Sequence, residues 1–181
     1  MTQPTIETTR LILRAFTLSD GPAVIRLAGE RDIADTTLNI PHPYEDKMAE
    51  TWIETLEPGY EADTSATFAI VHRDNEDLIG AIGLKIDRPF NKAEMGYWIG
   101  KPYWNQGYAT EAASAVIEFG FVELKLNRIG AQHLARNPSS GRVMEKIGLQ
   151  QEGTARQATV KWGKYEDLRL YGILLEDWKC D

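Results

Sequence analysis

The chain has 181 residues, a length that suits one folded domain with a sizeable hydrophobic core. Apolar residues make up 43% and charged residues 26%, which is ordinary for a globular protein and excludes a low-complexity chain. Lys and Arg number 20 against 27 Asp and Glu, so the formal net charge is −7. This balance argues against non-specific nucleic-acid binding, which needs clustered positive charge. It would attract a basic partner, although it also serves solubility.

The sequence predicts neither a membrane protein nor a metalloprotein. It contains no apolar run of about 18 residues, and Met1–Glu7 lacks the basic start and apolar core of a secretory signal. A cytoplasmic location is therefore expected. The single cysteine, Cys180, excludes an internal disulfide and a multi-cysteine metal site. No metal is expected at the three histidines, because they are widely spaced and have no cysteine partners: His42, His72 and His133.

The first part of the chain reads as one strand followed by short helices. Arg10–Arg14 is typical of a short strand, and Ser19–Pro22 carries a capping side chain and a first-turn proline that predict a helix start. Arg31–Asn39 indicates a short, broken helical piece. Ile40–Tyr44 is predicted to be a loop, because its prolines disfavour helix in the residues before them. Glu45–Leu56 has apolar residues at helical spacing and predicts a further helix.

The second part of the chain favours a sheet. Ala66–Val71 and Leu78–Ile86 flank a polar turn and predict a hairpin. Arg128–Ala135 predicts a strand that runs parallel to the strand before it, since a helical crossover separates the two. Thr154–Val160 and Asp167–Leu175 predict a final hairpin whose turn spans Trp162 to Asp167.

Between these parts lies a strand, a short loop and a helix. Ala93–Ile99 predicts a strand with Met95 and Tyr97 on one face and Glu94 and Trp98 on the other. Apolar residues recur at helical spacing after Gly107. A helix N-terminus after a glycine-bearing loop is a candidate anion site, since its free N–H groups face a ligand. An ordinary strand-to-helix turn is the alternative, and neither the G-x-G-x-x-G nor the P-loop pattern fits.

This central segment resembles a known family. Tyr103–Ala112 is similar to the acetyl-CoA loop of the GNAT N-acetyltransferases, and most similar to the branch of ribosomal-protein N-terminal acetyltransferases that includes RimJ and RimL. The superfamily pattern is [QR]-x-x-G-x-[GA]; Gly107 and Ala109 fill its last two places, whereas Trp104 replaces Gln or Arg. Three further segments resemble this branch in the same order along the chain: Thr9–Arg14, Asn137–Gly148 and Trp162–Asp167.

The resemblance implies a fold, an activity and a cofactor site. The expected fold is α+β, a GNAT domain spanning residues 1–181, with a mixed, twisted sheet of about seven strands flanked by helices. The expected reaction moves an acetyl group from acetyl-CoA to a primary amine, without a metal. The residues that the family pattern assigns to the cofactor are Trp98, Ile99, Gly100, Gln106, Gly107, Tyr108, Ala109, Thr110 and Asn137. The position of Asn137 before a proline also suits a helix cap, and both roles are compatible.

The proton-transfer residues follow the family pattern less closely. Glu94 is the candidate general base, directly or through water, with a solvated strand carboxylate as the alternative. Glu152 and Tyr44 are weaker candidates, because Thr159 stands where some RimL-like enzymes have a Glu in the last hairpin. Many GNAT enzymes use a tyrosine as the acid after the Asn, and Met144 stands at that place here. The RimL resemblance makes Ser140 the substitute acid; a local helix-start hydroxyl is its alternative role.

The acceptor is the least defined part of the prediction. The branch resemblance and the acidic balance favour a protein N-terminal α-amine, and the acidic balance favours a basic protein as its carrier. A small-molecule amine or an antibiotic is the enzymatic alternative, and a non-catalytic CoA-binding regulatory module is the other class. His42 and Tyr44 lie in a loop that could line the acceptor pocket. No nucleic acid or membrane partner is expected, and the chain is expected to be a monomer or a homodimer.

Overall fold

A computed structural model describes residues 2–178, so Cys180 lies outside the described residues. Eight strands form one sheet in the order β1-β2-β3-β4-β5-β6-β8-β7, and helices cover it. The strands are β1 Ile6–Glu7, β2 Leu11–Arg14, β3 Ser65–His72, β4 Leu78–Asp87, β5 Lys92–Ile99, β6 Arg128–Leu134, β7 Gln150–Lys161 and β8 Lys164–Leu174. The helices are α1 Gly21–Ala28, α2 Arg31–Thr36, α3 Met48–Glu54, α4 Leu56–Glu61, α5 Tyr108–Val122 and α6 Pro138–Lys146. No helix within residues 2–178 is long and apolar enough to cross a membrane.

The predicted strands and helices are present, β1 is additional, and two further predictions differ from the structure. The helix predicted over Glu45–Leu56 begins at Met48 and ends at Glu54, and α4, which was not predicted, follows after Thr55. An unbroken helix cannot continue here, because Pro58 has no N–H to donate to the carbonyl of Glu54. The turn predicted over Trp162–Asp167 is wrong, because the two strands pair up to Lys161 and Lys164. Trp162 and Gly163 have φ of 52° and 73°, which closes the hairpin in two residues.

The alternation predicted for β5 is confirmed. Met95 and Ile99 are buried in one apolar cluster with residues of α5. Trp98 is buried in a second cluster, on the opposite face, with residues of α1. Helices therefore pack on both faces of the central strand, and Glu94 is exposed.

The parallel pair β5–β6 opens into a gap. The two strands pair only from Lys92 with Arg128 to Met95 with Ala131. Beyond that point β5 stays paired with β4, and β6 stays paired with β8. The second half of β5 therefore has no neighbour on its β6 side within the sheet.

Backbone groups of β5 face this gap. The N–H of Gly100 donates to the carbonyl of Ile79 on the β4 side at 2.8 Å. The carbonyl of Ile99 instead accepts a hydrogen bond from Nε1 of Trp104 at 2.6 Å. Because successive residues of a strand direct their polar groups to opposite edges, the backbone of Tyr97 also faces the gap. The gap thus offers backbone hydrogen-bonding groups inside the sheet.

Candidate active site

A cavity of about 500 Å³ lies where the gap meets the first turns of α5 and α6. We call it the anion cavity, because its walls include Arg136, Arg142 and Lys146 but no Asp or Glu. Arg136 is already paired with Asp35 and Glu166. Arg142 and Lys146 are exposed and lie one helical turn apart, on the same face of α6. The cavity therefore fits a ligand with several negative charges, as expected for the phosphates of CoA, although the whole chain is acidic.

The loop before α5 supplies a second feature for such a ligand. Asn105 and Gly107 both have left-handed backbones, with φ of 61° and 84°. This conformation ends the loop at Gly107 and starts the helix at Tyr108. The first N–H groups of a helix have no intrahelical acceptor, and the helix dipole adds partial positive charge there. A Cβ on Gly107 would meet only Nη2 of Arg10, at 3.4 Å, so the backbone is open to a ligand.

Arg10 and Glu111 hold this loop in place, and we call the pair the loop clamp. Glu111 accepts hydrogen bonds from Oγ1 of Thr8, from the N–H of Arg10 and from Nε of Arg10, at 2.7, 2.8 and 2.7 Å. Nη1 of Arg10 then donates to the carbonyl of Gln106 at 2.9 Å. Burial alone would raise the pKa of Glu111, but the hydrogen bonds and charge from Thr8 and Arg10 lower it below its usual value. The clamp therefore ties the loop to the segment before β2 through an ionised carboxylate.

Most residues that the sequence predicts for the cofactor line the anion cavity: Trp98, Ile99, Gly107, Tyr108, Ala109, Thr110 and Asn137. Gly100 and Gln106 do not line it. The N–H of Gly100 is bonded to β4, and a Cβ there would meet Leu27 at 2.9 Å. Gln106 directs its carbonyl to Arg10 and its side-chain amide to the carbonyl of Pro102.

Asn137 occupies the cap position of α6, but its side chain does not cap the helix. Nδ2 of Asn137 donates instead to the carbonyl of Thr36, at 3.2 Å. The same side chain therefore ties α2 to the start of α6. Asn137 lines the anion cavity, and its amide oxygen makes no hydrogen bond with the described residues.

A second cavity, of about 790 Å³, lies on the sheet surface under the segment between α2 and α3, and we call it the sheet cavity. Its floor includes Gly83 and Gly96, and a Cβ on Gly96 would meet no atom within 4 Å. The charged residues that line it are Lys85 and Glu94. Oε1 of Glu94 accepts a hydrogen bond from Nε2 of Gln132 at 2.6 Å. The predicted base thus lies on an open groove, on the other side of β5 from Met95.

The two cavities share a wall at the gap. Residues that line both are Thr36, Thr37, Tyr97, Trp98 and Ser140. The hydroxyl of Tyr97 lies 2.8 Å from Oγ of Ser140. Burial raises the pKa of Tyr97 to about 12, although the hydrogen bond with Ser140 acts in the opposite direction. The predicted acid, Ser140, therefore has a phenolic partner at the point where the cavities meet.

Tyr97 was not among the residues predicted from the sequence. Its alternation places it with the buried Met95 and Ile99, and that pattern indicates packing. Its contact with Ser140 joins positions 43 apart in the sequence. The signal that could have identified it is the hydroxyl itself, which a position used only for packing does not need.

The weaker candidates lie elsewhere. Glu152 accepts a hydrogen bond from Arg128 at 2.7 Å, and it lines neither cavity. Tyr44 packs against the cluster that contains Trp98, and His42 contacts the carbonyl of Gly29 at 3.1 Å. Neither His42 nor Tyr44 lines a cavity, whereas Ile40 of the same loop lines the sheet cavity.

Two further sequence expectations concern Met144 and metal binding. Met144 is 1% exposed and contributes to the wall of the sheet cavity. Among residues 2–178, no three or more His, Cys, Asp or Glu side chains are grouped as metal ligands would be.

Comparison with known proteins identifies the family. Residues 10–150 match the family model described as the acetyltransferase (GNAT) domain. The chain is 33% identical over 172 residues to the uncharacterized N-acetyltransferase YoaA of Bacillus subtilis, covering 94% of this chain and 97% of that protein. It is 31% identical over 102 residues to the ribosomal-protein-serine acetyltransferase of Escherichia coli, covering 56% of this chain and 57% of that protein.

Its fold is similar to a crystal structure of a GNAT-family acetyltransferase from Bacillus anthracis. The TM-score is 0.85 at 28% identity, and the match covers 96% of this chain and 99% of that one. The chain belongs to the GNAT family and is an acetyl-CoA-dependent N-acetyltransferase.

Proposed function

We propose that this enzyme acetylates the α-amine at the N-terminus of a protein. The observation that carries the proposal is the meeting of the two cavities at Tyr97 and Ser140. One cavity suits a polyanionic donor, and the other is an open groove of about 790 Å³ beside it that can take the acceptor. The Escherichia coli relative, whose name describes acetylation of a ribosomal protein, supports this acceptor class.

In this proposal the anion cavity holds acetyl-CoA. The N–H groups of Tyr108, Ala109 and Thr110 and the cations of α6 bind its phosphates. The free amide oxygen of Asn137 and the backbone of Tyr97 at the gap contact the pantetheine arm. The acetyl group then lies at the shared wall, within reach of the sheet cavity.

Glu94 serves the acceptor side. An amine is mostly protonated near neutral pH, so a base must remove a proton before the nitrogen attacks. Glu94 is the carboxylate on the wall of the sheet cavity, and Gln132 fixes its orientation. Because Glu94 is exposed, a water molecule between it and the amine suits its place better than direct contact.

Ser140 serves the donor side. When the bond from carbon to sulfur breaks, the CoA thiolate needs a proton. The hydroxyl of Ser140 is on the wall between the cavities, at the start of α6. Removing a positioned acid or base typically costs about 100- to 10,000-fold in rate.

The test is release of free CoA from acetyl-CoA with a panel of amines. The panel contains a peptide with a free N-terminal serine, the same peptide blocked at its N-terminus but carrying a lysine, spermidine and an aminoglycoside. We expect turnover with the free peptide, and mass spectrometry should place the acetyl group on the α-amine. Acetylation of spermidine or the aminoglycoside alone would show that the acceptor is a small-molecule amine and not a protein. Binding of acetyl-CoA without turnover on any amine would favour a regulatory CoA-binding module.

Two variants test the assigned roles with the amine that is accepted. Glu94→Gln keeps the shape of the side chain and should lower kcat at least 100-fold. Ser140→Ala should do the same while acetyl-CoA still binds. Glu118→Gln, an exposed carboxylate on α5 away from both cavities, is the matched control and should leave turnover unchanged. Turnover within about threefold of wild type in either active-site variant would remove that residue from the mechanism.

A further inference from the structure

The contact between Tyr97 and Ser140 is a polar contact between two hydroxyl groups. The hydroxyl of Tyr97 lies 2.8 Å from Oγ of Ser140 and 3.3 Å from its carbonyl oxygen. Both residues line both cavities, so this pair of hydroxyls stands between the donor and the acceptor. When Tyr97 donates to Oγ of Ser140, the Ser140 proton is free to point into the anion cavity.

Ser140 on its own is poorly matched to its proposed task. A serine hydroxyl is a far weaker acid than a phenol, and the alkoxide left after proton transfer would be very unstable. A thiol is by contrast far more acidic than a serine hydroxyl, since the pKa of an ordinary cysteine thiol is about 8.5. Met144 cannot supply the missing proton, because its thioether has none.

We propose that Tyr97 supplies the proton that Ser140 passes to the departing sulfur, so that the two hydroxyls act together as the acid of the reaction. This inference rests on the acetyl transfer proposed above and adds a second residue to its donor side. The Ser140 proton goes to sulfur as the bond from carbon to sulfur breaks, and the Tyr97 proton goes to Oγ of Ser140 in the same step. No free alkoxide is formed.

The protons balance over one turnover. The protonated amine first gives one proton to Glu94, which releases it to solvent. The neutral nitrogen then loses a second proton as the new bond to carbon forms, and the sulfur gains one. Tyr97 is left as a phenolate and recovers its proton from the one released by the nitrogen, through solvent in the sheet cavity. Burial raises the pKa of Tyr97 to about 12, so Tyr97 is protonated at neutral pH. Because this also makes its hydroxyl a weaker acid, Tyr97 loses its proton only in the step in which Ser140 protonates the sulfur.

A second buried tyrosine provides a matched control. Tyr171 is 4% exposed, and its hydroxyl lies 3.3 Å from Oε1 of Glu145, on the same helix as Ser140. It lines neither cavity. If tyrosine hydroxyls only anchor α6, Tyr171→Phe and Tyr97→Phe should have equal effects.

The first measurement is steady-state kinetics with the amine accepted in the panel. Tyr97→Phe keeps the ring and removes the hydroxyl. We expect kcat to fall about 100-fold, in the range of a lost proton donor, while KM for acetyl-CoA stays within about threefold. Tyr171→Phe should change kcat less than about twofold. Equal turnover in Tyr97→Phe and wild type, or a loss that appears only in KM, would overturn the inference.

The second measurement is the double variant of Tyr97→Phe and Ser140→Ala. Two hydroxyls that move one proton form a single unit, so the double variant should lose no more than the worse single variant, within about threefold. Multiplying losses would show separate roles and refute the relay. A wild-type protein that releases no CoA with any amine would refute the proposed function, and this inference with it. Active wild type with a silent Tyr97→Phe would refute the relay alone.

Discussion

The loop clamp allows a quantitative test of what holds the cofactor loop in place. Glu111→Gln keeps the side-chain shape and removes the charge. The carboxylate accepts three hydrogen bonds, from Thr8 and from the backbone and side chain of Arg10. Hydrogen bonds to charged groups contribute about 1.5–3 kcal/mol each to stability in favourable cases. The Arg10 side chain is 42% exposed, so solvent screens part of this, and the amide still accepts some of the bonds.

We therefore expect Glu111→Gln to lower the free energy of unfolding by about 1–2 kcal/mol. For a chain of this size the melting temperature should fall by about 2–8 °C. Because Arg10 also holds the carbonyl of Gln106, the loop should loosen and the affinity for CoA should fall several-fold. Calorimetry with CoA and a thermal scan without it would measure both effects. Glu118→Gln, exposed on the same helix, is the control and should change neither.

The pH dependence of the same pair gives an independent check. The folded-state pKa of Glu111 is lowered from its ordinary value of 4.5. A carboxyl with a lowered pKa stabilises the fold above its unfolded pKa, and this contribution disappears as the pH falls through the folded value. The difference in stability between wild type and Glu111→Gln should thus be full above about pH 5 and shrink below about pH 4. A difference that is absent at pH 7, or that grows on acidification, would refute this account of the clamp.

Two further predictions concern the anion cavity. Gly107→Val imposes a left-handed backbone on a branched residue, at a cost of about 1–2 kcal/mol or more, and should weaken CoA binding at least tenfold with the fold retained. Calorimetry showing unchanged affinity in a folded variant would contradict the site. Gly153→Val, at an open strand position, is the control. Arg142→Ala and Lys146→Ala should each raise the Kd of CoA about three- to tenfold at low salt and make that Kd less dependent on salt. Lys164→Ala, on the hairpin, is the control and should do neither. An equal salt dependence of the Kd in all variants would exclude both cations from phosphate binding.

The sequence was sufficient for the strands around the site because their patterns are local. The alternation in β5 and the helical spacing after Gly107 each depend on neighbours a few residues away. The separate helix α4 was missed because it is short and buries none of its residues, so no apolar face marks it in the sequence. The tight turn at Trp162 was missed because a tryptophan with positive φ is uncommon.

The sequence patterns could not predict contacts between segments that are distant in the chain. The cations of the anion cavity are masked by a net charge of −7, and only folding gathers them on one wall. Thr9–Arg14 and Tyr103–Ala112 both resemble the family, but nothing in their spacing indicates that Arg10 and Glu111 are partners. The partnership of Tyr97 with Ser140 likewise depends on where α6 docks against the gap.

The shared wall also bears on the order in which substrates bind. The two cavities are lined largely by different elements, so the donor and the acceptor need not pass through the same opening. Both can be bound at once, and neither has to leave before the other enters. Double-reciprocal plots should then intersect rather than run parallel, and free CoA should compete with acetyl-CoA but not with the amine. We expect such an enzyme to transfer the acetyl group directly from one substrate to the other, without an acetyl-enzyme intermediate.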